Sequence, residues 1–117
     1  TGRRRLKPMK VTESFRLFVL EQLAGVDHIH ARAMFGGVGL YAAEVFFGIL
    51  AADTLYFKVD DSNRSAYESA GMKAFQPYAD RAMSRSYYEV PAAVIEDPER
   101  LTAWARAAIR AAKGAKS

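Results

Sequence analysis

The sequence contains no cysteine. That absence removes a disulfide scaffold, a cysteine-ligated zinc finger, an iron–sulfur site and thiol catalysis together. It fits a reducing compartment, and a cytoplasmic location is the expectation. No apolar run approaches the roughly 18 residues of a membrane span, and no signal-peptide pattern opens the sequence. There is no repeat with the roughly 20–50-residue period of a solenoid. Histidine occurs only twice and tryptophan once. What is present suits a folded domain: half of the 117 residues are hydrophobic and 26% are charged. A chain of this length supports one core, which buries roughly two thirds of the unfolded surface.

Charge is unevenly spread. Arg3, Arg4, Arg5, Lys7 and Lys10 crowd one end, and Arg100, Arg106, Arg110, Lys113 and Lys116 the other. Residues 11–99 hold only seven of the 17 basic residues but all 13 acidic ones, a net charge of −6. A basic end attracts phosphate without reading sequence, so Arg3, Arg4, Arg5 and Lys7 are the candidate nucleic-acid contacts, weak and non-specific. Residues 1–10 read as a basic flexible segment, with Met9 a candidate start, 11–113 as the domain and 114–117 as a tail.

Val11, Phe15, Phe18, Val19 and Leu23 recur at helical spacing, widened by Leu17 and Leu20, and predict a helix over 13–24. Thr12 is its expected cap and Gly25 its stop. A strand is expected from near His30. The segments 35–41, 45–50 and 54–59 are β-branched and aromatic, with separators too short for parallel crossovers. Asp60-Asp61-Ser62-Asn63 offers capping chemistry for a helix over about 62–70, with Ala66, Tyr67 and Ala70 inward. Residues 75–78 read as loop, and 84–90 as a strand stopped by Pro91. Asp97-Pro98-Glu99 starts a last helix, with Leu101, Trp104, Ala105, Ala108, Ile109 and Ala112 on one face. The order α-β-β-β-α-β-α predicts a single α+β domain with an antiparallel sheet of about four to five strands.

Motifs for chemistry are sparse. His28 and His30, beside Asp27, could share a strand face, but no H-E-x-x-H pattern accompanies them. Asp60 and Asp61 lack calcium-loop spacing and read as capping residues. Gly36, Gly37 and Gly39 lack both P-loop and dinucleotide spacing, and read as bulge or close-approach glycines, with Gly37 a candidate for positive φ. The aromatics Tyr41, Phe46, Phe47, Tyr56, Phe57, Tyr87 and Tyr88 could stack bases, yet the RNA-recognition signature is missing. They read as core and cross-strand pairs. No catalytic residue, cofactor or metal site is expected.

Several segments together carry a resemblance. Arg32-Ala33-Met34-Phe35-Gly36-Gly37-Val38-Gly39-Leu40-Tyr41 resembles the signature of the TfoX/Sxy N-terminal domain family. Phe47-Gly48-Ile49-Leu50 and Leu55-Tyr56-Phe57-Lys58-Val59-Asp60 continue it, as do Ala70-Gly71-Met72, Tyr87-Tyr88-Glu89-Val90-Pro91, and Asp97-Pro98 before Leu101 and Trp104. The resemblance covers about residues 11–112. Ala43-Glu44 stands where the family often has a turn glycine. The resemblance implies a curved antiparallel sheet flanked by helices, like that of secretion chaperones, and a structural role for Arg32, Met34, Phe35, Gly36, Gly37, Gly39, Tyr41, Lys58, Tyr87, Pro91 and Trp104. It implies a link to natural competence, in which full-length members regulate DNA-uptake genes together with the cAMP receptor protein. Those members carry a second helical domain, and the present sequence is expected to be a stand-alone N-terminal domain. The expectation is a non-enzymatic co-regulator that binds a protein partner, either transcription machinery or a cAMP-receptor-type regulator. Direct DNA binding through the basic ends is the alternative. A small metal-dependent enzyme using His28, His30 and the Asp pair ranks last.

Overall fold

Period-two alternation of large apolar residues along the strands sets the architecture, because it forces one sheet face under cover. The computed structural model describes residues 10–34, 36–75 and 84–114. Its elements are α1 (Glu13–Gln22), β1 (Ile29–Met34), β2 (Gly37–Ala42), β3 (Val45–Ala51), β4 (Thr54–Lys58), α2 (Arg64–Ser69), β5 (Ala74–Phe75), β6 (Ser84–Glu89), α3 (Ala92–Ile95) and α4 (Pro98–Gly114). The strands form one open sheet in the order β1-β2-β3-β4-β6-β5, antiparallel at every pairing. This is the α+β class expected, with six strands among the described residues rather than four or five. One addition arises because the strand expected from near His30, β1, is separate from β2. The other is β5, whose two residues carry no periodic signal and place Phe75 in the sheet instead of a loop.

One face of the sheet holds the core. Val38, Leu40, Leu50, Leu55, Phe57, Tyr88 and Val90 are buried there in one cluster with Val19 and Leu23 of α1, Tyr67 of α2 and Leu101, Ala105, Ala108 and Ala112 of α4. α4 lies on β3 and β4, while α1 and α3 pack against α4. Four buried alanines of α4, Ala105, Ala108, Ala111 and Ala112, let its backbone approach the strands closely. Trp104 is therefore displaced to the flank, half-buried, with its ring edge-on to Tyr67 at 4.8 Å. This corrects the expectation of an inward Trp104. In α2 only Tyr67 is buried, and Ala66 and Ala70 are exposed, because six residues give less than two turns. Leu17 and Phe18 of α1, expected inward, are 52% and 39% exposed, since Phe15, Val19, Leu20 and Leu23 form the side that meets the cluster. The helix α3 was not anticipated; Pro91 ends the strand and its carbonyl accepts from Val94 and Ile95.

The caps follow the sequence in part. Thr12 is the α1 cap, its hydroxyl oxygen accepting from the Phe15 amide at 3.2 Å. Asp97 accepts from the Glu99 and Arg100 amides, as a helix start should. Asp60 and Asp61, however, do not cap α2. Asp60 Oδ1 accepts from the amide and hydroxyl of Ser62, closing a turn, and those bonds, the hydroxyl's first, hold its carboxyl below the ordinary carboxylate range. Asn63 takes the N-cap place without a side-chain cap bond. Its side chain instead accepts from the Asp60 amide and donates to the Lys58 carbonyl, tying the end of β4 to the turn.

Two-residue turns join β2 to β3 and β3 to β4. Ala43 has φ 55° where the family often has glycine, and Ala52 and Asp53 have φ 52° and 53°. Left-handed backbone at both central residues matches the right-handed twist of a hairpin, but it suits Asn-Gly better than Ala-Asp. The Asp53 side chain offsets that strain through a long-range tie. The Thr12 amide donates to its Oδ1 at 2.7 Å, and the Thr12 hydroxyl to its Oδ2 at 3.0 Å. The turn thus seats the start of α1. Ala52→Gly should raise stability by about 0.5–1 kcal/mol by relieving the left-handed strain. Asp53→Ala should lower it by about 1–2 kcal/mol by severing charge-assisted bonds at a cap. Urea unfolding of both variants measures the two opposite signs.

Candidate functional site

The other face of the sheet carries no helix among the described residues. Strand register determines what stands on it. Opposite partners share a face, so Arg32 joins Gly39 and Ile49, and His30 joins Tyr41 and Phe46. Lys58 and Tyr87 pair, as do Tyr56 and Glu89.

The rings form a continuous row across the sheet. His30 and Tyr41 are stacked with centroids 5.4 Å apart and planes 10° apart. Tyr41 meets Phe46 at 5.3 Å, and Phe46 meets Tyr87 at 5.8 Å. Near-parallel rings this close must be offset-stacked, since coplanar rings would clash. His30 and Tyr41 therefore turn their faces toward each other, whereas Tyr41–Phe46 and Phe46–Tyr87 are tilted by 34° and 39°. Beyond the row, Tyr56 packs on Phe75 at 4.7 Å. His30, Met34, Tyr41, Phe46 and Tyr87 are all half-buried.

Two cations rest on this ridge. The Arg32 guanidinium carbon is 5.3 Å from the Tyr41 ring centre, and the Lys58 ammonium is 5.3 Å from that of Tyr87. Neither pairs with a carboxylate among the described residues, where the ion pairs are Arg16–Glu13 and Arg64–Asp61. Cation–π contact positions each head group while leaving its donors outward. Gly39 makes the ridge possible. A Cβ there would stand 2.9 Å from Met34 Sδ, 3.1 Å from Phe46 Cε1 and 3.3 Å from Tyr41 Cε1.

Six of the residues that carry the family resemblance thus meet on one face: Arg32, Met34, Gly39, Tyr41, Lys58 and Tyr87. Gly36 and Gly37 lie at the β1–β2 turn, where the positive φ of 80° belongs to Gly36, while Gly37 is a strand residue paired with Met34. Pro91 and Trp104 are on the helical side. Phe35, Arg3, Arg4, Arg5 and Lys7 lie outside the described residues. His28 and His30 do not converge with carboxylates: no group of three or more metal-ligating side chains occurs among the described residues. His30 instead belongs to the aromatic row. The aromatics read together from the sequence divide in two. Phe47, Phe57 and Tyr88 enter the core, whereas Tyr41, Phe46, Tyr56 and Tyr87 stand on the ridge. The missed signal was the alternation His30-x-Arg32-x-Met34, which already marked one face of β1.

A family model, the TfoX N-terminal domain, matches residues 21–112. No curated protein matches the chain.

Burial, with Tyr41 nearby, pushes the Tyr87 phenol up to about 12. Burial first, then Glu89, also raises that of Tyr56, against a hydrogen bond with Thr54. A phenol that holds its proton longer in the folded state stabilises the fold fully below pH of about 10, the unfolded value. That contribution is lost as pH rises toward about 12 for Tyr87. Urea midpoints should fall over this alkaline window. Tyr87→Phe should flatten the fall, and absorbance titration should show one fewer late-ionising tyrosine.

Proposed function

Since the TfoX N-terminal domain model spans residues 21–112, the chain belongs to that family, and from this premise we propose that it is a non-enzymatic binding domain in competence regulation. In this reading it acts in the cytoplasm as a co-regulator, docking a protein partner on the helix-free face of the sheet. The partner class is transcription machinery or a regulator of the cAMP-receptor type.

The observation that carries the reading is the ridge itself. Four rings, two of them bearing a cation, are kept off the core on the side opposite every packed helix. A row of half-buried aromatic rings with two cations on it resembles the anchor composition of protein interfaces, where aromatic residues and Arg are enriched. Sheet edges and faces are recurrent docking surfaces in regulatory proteins. The alternative, direct DNA binding, rests on Arg3, Arg4, Arg5 and Lys7 outside the described residues and works against the −6 charge of residues 11–99. It predicts binding of about 10⁻⁴–10⁻⁶ M that fades with salt.

The double variant Tyr41→Ser with Phe46→Ser should keep its far-ultraviolet circular dichroism. It should lose capture of the partner from source-cell extract by at least tenfold relative to wild type. Duplex titration at about 0.15 M salt is the second arm. Nanomolar, sequence-selective duplex binding that the double variant retains would replace the co-regulator reading with direct DNA recognition.

A further inference from the structure

Resting on the ridge as the docking face, we infer that its occupant is an acidic amphipathic peptide segment, which lays apolar side chains along the row of rings and carboxylates on Arg32 and Lys58. Charge complementarity chooses this class. Both cations lack a carboxylate partner among the described residues, and both are held at 5.3 Å over rings of the row. The one carboxylate that the described strands place on this face is Glu89, opposite Tyr56 and away from Arg32. A partner carboxylate reaching Arg32 or Lys58 therefore displaces only water, and the ring beneath each head group limits the side-chain entropy that docking must remove.

Geometry sets the spacing. Tyr41 on β2 and Tyr87 on β6 stand three strand spacings apart at the backbone and lean together through Phe46, with ring centres 5.3 and 5.8 Å from it. Single-stranded nucleic acid shares the negative charge but needs ring faces for its bases. Here His30 and Tyr41 stack on each other, 10° from parallel, and Arg32 and Lys58 rest over the Tyr41 and Tyr87 rings, so these faces already have occupants.

The test selects ligands for the intact protein from a random linear peptide library displayed on phage at about 0.15 M salt. Wild type, Tyr41→Ser with Phe46→Ser, and Arg32→Glu with Lys58→Glu are compared. The expected winners combine Asp or Glu with Leu, Phe or Trp, and weaken about tenfold or more on charge reversal. They should also be lost on the ring variant. Winners that need the rings but carry no acidic bias overturn this inference and leave the ridge a docking face. Winners indifferent to the rings, or none at all, overturn both. An oligothymidine strand that competes with the selected peptides for wild type but not for the ring variant assigns the face to nucleic acid and overturns the acidic peptide.

Discussion

A single inserted residue in β3 keeps both faces of the sheet in order. Leu40 pairs with Gly48 and Tyr41 with Phe46, so Phe47 is the extra residue of a bulge. Strict alternation would put Phe46 on the same face as Leu50. The insertion shifts the phase, sending Phe47 and Leu50 beneath the helices and Phe46 and Ile49 to the other side. Phe47 is fully buried, 5.6 Å from Phe57, and such burial contributes on the order of 1.5–3 kcal/mol. Gly48 is the condition for it. A Cβ there would lie 3.1 Å from the Tyr56 carbonyl oxygen and 3.2 Å from Leu40 Cδ1 and Phe57 Cδ1. The glycine at 39 does the same service on the opposite face, where it gives room to Met34, Tyr41 and Phe46.

The two faces then take different roles from one cause. On the helical side, aromatic and aliphatic side chains fill a single cluster whose stripe of alanines in α4 brings helix and strands together. On the other side, aromatic residues from several strands meet in a row, with two cations resting on them. Cross-strand ring pairs contribute on the order of 0.2–1 kcal/mol each, so the ridge supports the sheet even with nothing docked on it. A row of half-exposed rings on the helix-free face is more than a sheet needs for stability. The proposed docking role follows from that excess and from where the cations rest.

Much of this was legible in the residues. The α+β class, the Thr12 cap, the β2-to-β4 meander and the Asp97-Pro98 helix start all rest on local chemistry. Those features follow from periodicity and from capping side chains within three positions. What escaped was non-local. The bond from Thr12 to Asp53 spans 41 positions and has no sequence signature. Ala52 and Asp53 in left-handed backbone go against their own preferences, and only the paired strands and that bond hold them there. Trp104 seemed the natural centre of its helix because it is the largest residue. Close approach through Ala105, Ala108 and Ala112 moved the centre of the stripe elsewhere. For the candidate site, the residues Arg32, Met34, Gly39, Tyr41, Lys58 and Tyr87 were visible as parts of a resemblance. That they share one face depends on inter-strand register and on the bulge, which no local pattern encodes.

The sheet is two-faced, with one aromatic set enclosed and another half-exposed. Hydroxyl-radical footprinting of the purified chain, read residue by residue by mass spectrometry, tests it most directly. Tyr41, Phe46, Tyr87 and Met34 should be modified well ahead of Phe47, Phe57 and Tyr88, and should become protected when a ridge ligand binds. Equal protection of both sets in the free protein would mean that the ridge is covered, and would contradict the account.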